Sequence, residues 1–235
     1  MEVKRLLKRV GSKLLPEAIK KQLRNFIILA VDYGQYKTIS QWNCVDHVNT
    51  KLPWYTYPII EYLNNMDFSD KVVFEFGSGN SSAYWARKSK FVYSVEHNKE
   101  WYEKVKHEMA QNQAIELCEN EVHYLDAMSK ISEKIDVIII DGIYREKCAQ
   151  LVQDHLAEDG IVILDNADWY KETSKFLREK LDLLEVDFHG FGPINAYTWT
   201  TSIFFKRGAR LQPVNSVQPH YSVAAIKNGN DERFI

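Results

Sequence analysis

The sequence predicts an α/β protein built on a doubly wound, mostly parallel sheet, and three observations carry that prediction. Short apolar runs recur from Lys71 onward: Val72–Phe76, Phe91–Glu96, Val122–Leu125, Ile135–Ile140 and Ile161–Leu164. Such runs suit strands buried on both faces. Segments of helical character lie between them, at Ser81–Lys88, Lys99–Gln111, Glu146–Ala157 and Tyr170–Lys180. Strand–helix alternation implies right-handed βαβ units. Finally, Leu183–Phe188 and Ser202–Lys206 read as two more strands with no long helix between them, which predicts a terminal antiparallel pair.

The bulk composition agrees with one generous globular domain. The chain has 235 residues, 45% of them hydrophobic and 26% charged, enough apolar content for a real core. The formal net charge of -2 gives no general reason to expect a nucleic-acid partner, and none is expected. Cys44, Cys118 and Cys148 are scattered without CxxC spacing. That argues against a disulfide framework or a zinc site and suits a reducing cytoplasm. The longest apolar run, Phe26 to Val31, is far too short to span a bilayer, and no secretory leader is recognisable.

Charge is unevenly spread. Residues 1–25 carry Lys4, Arg5, Lys8, Arg9, Lys13, Lys20, Lys21 and Arg24 against Glu2 and Glu17, with Val3, Leu7, Val10 and Leu14 at helical spacing. A basic amphipathic helix of this kind lies on an anionic membrane surface, or docks on its own domain or a second subunit. Gly11 breaks the first helix, and Pro16 suits the start of a second. Residues 32–53 read as irregular, and a helix is predicted over Trp54 to Met66.

The first strand runs into Gly77-Ser78-Gly79-Asn80-Ser81-Ser82, followed by a helix. Ligands of doubly wound folds sit beyond the carboxyl ends of the strands, beside the first strand. Glycines there let the backbone approach a ligand, and Asn80 or Ser81 can cap the helix. A lone GxG is not specific, so its neighbours decide. Glu75 would repel a dinucleotide pyrophosphate but suits an ammonium group. Glu96 ends the second strand, where an acid takes ribose hydroxyls. Asp126 follows the run Val122–Leu125, near where an adenine edge would lie. His97, next to Glu96, is placed to touch adenine.

EFGSGNSS, VYSVEH and YLDA resemble the successive cofactor motifs of class I methyltransferases, which use S-adenosylmethionine (SAM). The resemblance spans roughly residues 54–206. It implies a Rossmann-like seven-stranded sheet of order 3-2-1-4-5-7-6 with strand 7 antiparallel. Around that SAM-binding domain over 54–206, residues 1–53 read as a basic helical extension and 207–235 as a tail. By the same resemblance the Gly77–Gly79 backbone carries the methionine moiety, Glu96 the ribose hydroxyls and Asp126 the adenine amine.

Two further loops reach the same sheet edge. Ile135–Ile140 ends in Asp141-Gly142-Ile143-Tyr144-Arg145, and Ile161–Leu164 ends in Asp165-Asn166. Two carboxylates and an amide oxygen there make an oxygen set suited to Mg²⁺. The pattern resembles the cation-dependent O-methyltransferases of the catechol and caffeoyl-CoA type. That resemblance implies Asp141, Asp165 and Asn166 as metal ligands, and a metal lowers the pKa of a bound hydroxyl. It departs at Tyr144, where that family has a Lys; Arg145 stands next, but Arg cannot act as a base. Without metal, Asp141 binds cofactor or acceptor and Asp165-Asn166 cap the next helix.

The expected function is therefore SAM-dependent O-methylation of a small hydroxylated acceptor, a sugar or natural product, with Asp141, Tyr144 and Arg145 on the acceptor side. Aromatics at Pro53–Pro58, His189–Pro193 and Tyr197–Trp199 either stack on that acceptor or fill core. Two alternatives compete: an NAD-dependent oxidoreductase, whose fingerprint fails at Ser82, and a non-catalytic SAM-fold partner protein.

Overall fold

Period-two alternation decides the sheet. In β4 (Ile135–Ile140) and β5 (Leu156–Leu164), Ile138, Ile140, Val162 and Leu164 pack into one apolar layer, and Val137, Ile139, Ile161 and Ile163 into the other. β1 (Phe68–Phe76) splits likewise, Phe74 and Phe76 against Val73. Each such buried side chain contributes roughly 1.5–3 kcal/mol. The computed structural model describes residues 15–227. Within them, β2 (Ser89–Glu96), β3 (Gln113–Leu117), β6 (Leu184–Gly190) and β7 (Trp199–Phe205) complete a sheet of order β3-β2-β1-β4-β5-β7-β6. β1 to β5 pair parallel, and β7 runs antiparallel between β5 and β6. The predicted fold and its terminal antiparallel pair are as expected.

Eight α-helices are described: α1 (Glu17–Ile27), α2 (Gln35–Gln41), α3 (Tyr57–Asn64), α4 (Asn80–Ala86), α5 (Lys99–Lys106), α6 (Glu121–Asp126), α7 (Arg145–His155) and α8 (Lys171–Lys175). The basic residues 1–14 lie outside the described residues. Pro16 stands at the N-cap of α1, and no residue of that helix is buried. Among the described residues no helix is long and apolar enough to cross a membrane.

Two expectations fail locally. Residues 32–53 are not wholly irregular: they contain α2, and Val45 bridges Lys51. The third strand is Gln113–Leu117, and Val122–Leu125, read as that strand, belongs to α6. Asn120 starts that helix by accepting a hydrogen bond from the His123 N–H at 3.0 Å, an N-cap. Val122 and His123 then face solvent while Tyr124 is buried. β3 escapes notice because it is an edge strand with no fully buried residue, so its sequence QAIEL lacks an apolar run.

Candidate active site

The carboxyl ends of β1, β2 and β4 meet at the glycine loop. Gly77 has φ +112°, a region that favours glycine. Its neighbour across the loop is Gly142, where an added Cβ would lie 2.2 Å from the Tyr124 hydroxyl and 2.9 Å from the Phe76 carbonyl. Bare backbone from both strand ends therefore floors a cleft of about 680 Å³, a volume typical of small-molecule sites. Gly77, Ser78, Glu96, His97, Trp101 and Asp141 are among its lining residues.

Glu96 is fixed at the far end. One carboxylate oxygen accepts from the backbone N–H groups of His97 and Asn98, each at 2.9 Å, and the other from Ser78 Oγ at 2.9 Å. Three of the carboxylate's roughly four acceptor sites are then taken, and one on the oxygen that meets Ser78 stays open to a ligand hydroxyl. His97 stands beside it, Nδ1 at 3.1 Å.

Glu75 has a different place from the one its sequence position suggests. It is buried behind the loop, where its carboxylate accepts from Ser81 and Ser82 hydroxyls and from Ser94 Oγ at 3.3 Å. It lines neither cleft at the loop. Burial pushes its pKa up to about 7, against the pull of the three hydroxyls. Ser82 Oγ also accepts from the Gly79 N–H at 3.1 Å. That takes up the loop donor a pyrophosphate would use, which weighs against a dinucleotide.

A second cleft, of about 400 Å³, lies on the other side of the loop under the segment that follows α2. Gly79, Asn80 and Ser81 form one wall, with Trp42, Trp54 and Trp101 around them. Asn80 Nδ2 ties the covering segment down by donating to Asn43 Oδ1 at 2.6 Å and to the Cys44 carbonyl at 2.9 Å. Ser78, Trp101, Lys104 and Asp141 line both clefts.

Arg145 organises the acidic loops. Its guanidinium donates to the carbonyls of Gly142 (3.0 Å), Asp141 (3.0 Å) and Asp165, to Asp141 Oδ1 (3.1 Å) and to Asn166 Oδ1 (3.4 Å). Its outer face lies 4.3 Å from the centroid of the Tyr170 ring, a cation–π contact. This corrects the metal expectation. Asp141 Oδ1, Asn166 Oδ1 and the backbone carbonyl of Asp165 are gathered around a guanidinium, which already supplies the cation. The Asp165 carboxyl turns away, accepting from Trp199 Nε1 at 3.0 Å and Thr201 Oγ1 at 2.5 Å. Among the described residues no cluster of three His, Cys, Asp or Glu could hold a metal ion. Burial raises the pKa of both Asp141 and Asp165; Arg145 opposes it at Asp141, and the Asp141 charge adds to it at Asp165.

Other expected residues are spread. Asp126 does not reach the site. It is exposed at the end of α6, where it accepts from Ser129 Oγ at 2.7 Å. β3 in fact ends at Leu117, and Cys118-Glu119-Asn120 follow it. Tyr144 has φ +55° and lines a third cleft, of about 720 Å³, with Trp169 and Tyr170. The expected aromatics divide as well: Tyr55, Tyr57 and Trp199 are buried, while Trp54, Phe191 and Tyr197 are exposed. Sequence reasoning missed Trp42, Asn98, Trp101 and Lys104. Trp101 alone left a signal, as a large aromatic in the first turn of a polar helix right after the Glu96 strand.

No protein-family model matches the chain, and no curated protein matches it. Solved structures do. A precorrin-6y C5,15-methyltransferase from Geobacter metallireducens is similar at TM-score 0.51 and 13% identity, over 63% of this chain and 87% of that one. An rRNA methylase from Streptococcus thermophilus gives 0.48 and 16%, over 63% and 96%. The fibrillarin pre-rRNA processing protein of Methanococcus jannaschii gives 0.47 and 18%, over 64% and 73%. The chain has the class I methyltransferase fold. The expectation of no nucleic-acid partner, drawn from net charge alone, is withdrawn: an rRNA methylase and a pre-rRNA processing protein are among the similar structures.

Proposed function

We propose that this chain is a SAM-dependent methyltransferase in which Asp141 is the general base for an acceptor hydroxyl. One observation carries the reading: Asp141 stands where two clefts join, one ending at Glu96 and the other walled by Gly79–Ser81. SAM fits the first cleft by its chemistry. The bare Gly77–Gly142 floor admits close approach, and Glu96 offers its remaining acceptor site to a ribose hydroxyl. Such a cofactor supplies an electrophilic methyl group on a sulfonium whose bonding pair stays with sulfur.

The chain's own residues then orient the acceptor and take up its proton. Arg145 grips both the carbonyl and Oδ1 of Asp141, which fixes the carboxylate against the acceptor. Burial raises the Asp141 pKa and so strengthens it as a base near neutral pH. With SAM bound, the acceptor oxygen would gain the methyl group as its bond to sulfur breaks, and Asp141 would take the hydroxyl proton. Arg145 meets the side-chain oxygens of Asp141 and Asn166 while the Asp165 carboxyl faces Trp199 and Thr201, so this reading needs no metal.

The test is release of S-adenosylhomocysteine from SAM over a panel of phenols, sugars, nucleosides and RNA oligonucleotides. Wild type is expected to turn over at least one class, with no loss in EDTA. Asp141→Asn is expected to slow turnover by about 10²–10⁴-fold while cofactor affinity holds. Full activity in Asp141→Asn, or abolition by EDTA, would refute the assignment.

A further inference from the structure

Three tryptophans line the second cleft, and all three are exposed: Trp42 by 72%, Trp54 by 39% and Trp101 by 41%. Tryptophan is highly buried on average, and clustered exposed apolar surface marks binding sites. These indoles are held in place. Trp42 has φ +49°, a strained conformation for a bulky residue, and the two residues after it are anchored by Asn80. Trp54 meets Trp42 edge to face, centroids 6.3 Å apart at 85°. Trp101 donates from Nε1 to the Ser78 carbonyl at 2.7 Å, and the Lys104 ammonium stands 4.6 Å from its ring. At the rim Lys51 pairs with Glu108, so charge there is largely balanced and ring stacking dominates recognition.

We infer that this cleft is an aromatic clamp for one planar aromatic ring bearing a hydroxyl or amino group, the ring among Trp42, Trp54 and Trp101 and the group toward Asp141. The fate of that group rests on the methyltransferase reading; the binding does not. The ring belongs either to a free aryl compound or to a base presented by a single-stranded polynucleotide, since both stack on indoles. A volume of about 400 Å³ is near the low end for small-molecule sites, which suits a single ring system.

The test is tryptophan-fluorescence titration of the full chain with p-cresol, adenosine, a short single-stranded RNA and, as a non-planar control, cyclohexanol. At least one planar probe is expected to saturate at least about tenfold below cyclohexanol. Trp42→Ala and Trp54→Ala are each expected to weaken it by about tenfold. Trp42→Phe keeps a ring and is expected to retain binding, which separates stacking from misfolding. RNA binding at least about tenfold tighter than adenosine assigns the ring to a polynucleotide; no such gain assigns it to a free aryl compound. Equal binding of cyclohexanol, alanine variants that bind as wild type, or no planar binding at all would overturn the clamp. Planar binding in a chain that ignores S-adenosylhomocysteine would instead overturn the methyltransferase reading alone.

Discussion

Three side chains divide the work around the glycine loop, and each has its own test. Glu75 is structural in this arrangement. Its folded pKa of about 7 lies above the ordinary 4.5, so folding favours its protonated form. The associated stability is fully present below about pH 4.5 and is lost as pH rises through 7. The shift corresponds to up to about 3 kcal/mol. Urea denaturation at pH 5 and pH 8 is therefore expected to show a smaller pH dependence in Glu75→Gln than in wild type; equal slopes would contradict the burial argument. In the proposed mechanism Arg145 is a positioning residue. Arg145→Lys keeps the charge but cannot span five oxygens, so it is expected to lower kcat by about tenfold or more with KM for SAM nearly unchanged. The place of Glu96 at the cleft was legible from sequence, because the carboxyl end of a strand beside β1 faces the ligand edge of such a sheet. The role of Arg145 was not, because its partners are mostly carbonyls, which no side-chain pattern reports.

At the scale of elements, the apolar strands were legible and the polar ones were not. β4 and β5 announce themselves through runs of Ile and Val buried on both faces. β3 sits at the sheet edge and reads as neither strand nor helix, while VHYL in α6 mimics a strand through β-branched and aromatic residues. That single exchange moved Asp126 out of the site. The β1 and β4 loops make the opposite case, since their close approach demands glycine. Gly142→Ala would press a methyl group on the Tyr124 hydroxyl and the Phe76 carbonyl. It is expected to cost about 1–3 kcal/mol of stability and to lower the thermal midpoint. Adding Tyr124→Phe should recover part of the loss; no recovery would place the strain at the backbone contact instead.

Across the whole molecule, the ends of the described chain are tied to one carboxylate. Glu61 on α3 accepts from Tyr33 Oη at 2.7 Å, from Ser222 Oγ at 3.1 Å and from the Val223 N–H at 3.0 Å. The tail also bridges through Met66 and Pro213, with Val214 donating to the Asn65 carbonyl at 2.9 Å. Glu61→Ala is expected to expose the tail to limited proteolysis while leaving the sheet's cooperative unfolding nearly intact. Nothing in the sequence pointed to this clamp, since its partners lie far apart along the chain and one is a backbone group. The broad architecture needed no such detail: six of the seven strands showed as apolar runs, β3 being the exception, and their order was what the resemblance to class I methyltransferases implied.

In the proposed arrangement the first cleft holds the adenosyl cofactor with Glu96 at its ribose end. Calorimetric titration of S-adenosylhomocysteine into wild type and Glu96→Ala tests it most directly. One site per chain is expected in wild type, weakened about 10–100-fold in the variant through loss of charge-assisted hydrogen bonds. No binding by wild type, or equal affinity in Glu96→Ala, would contradict it.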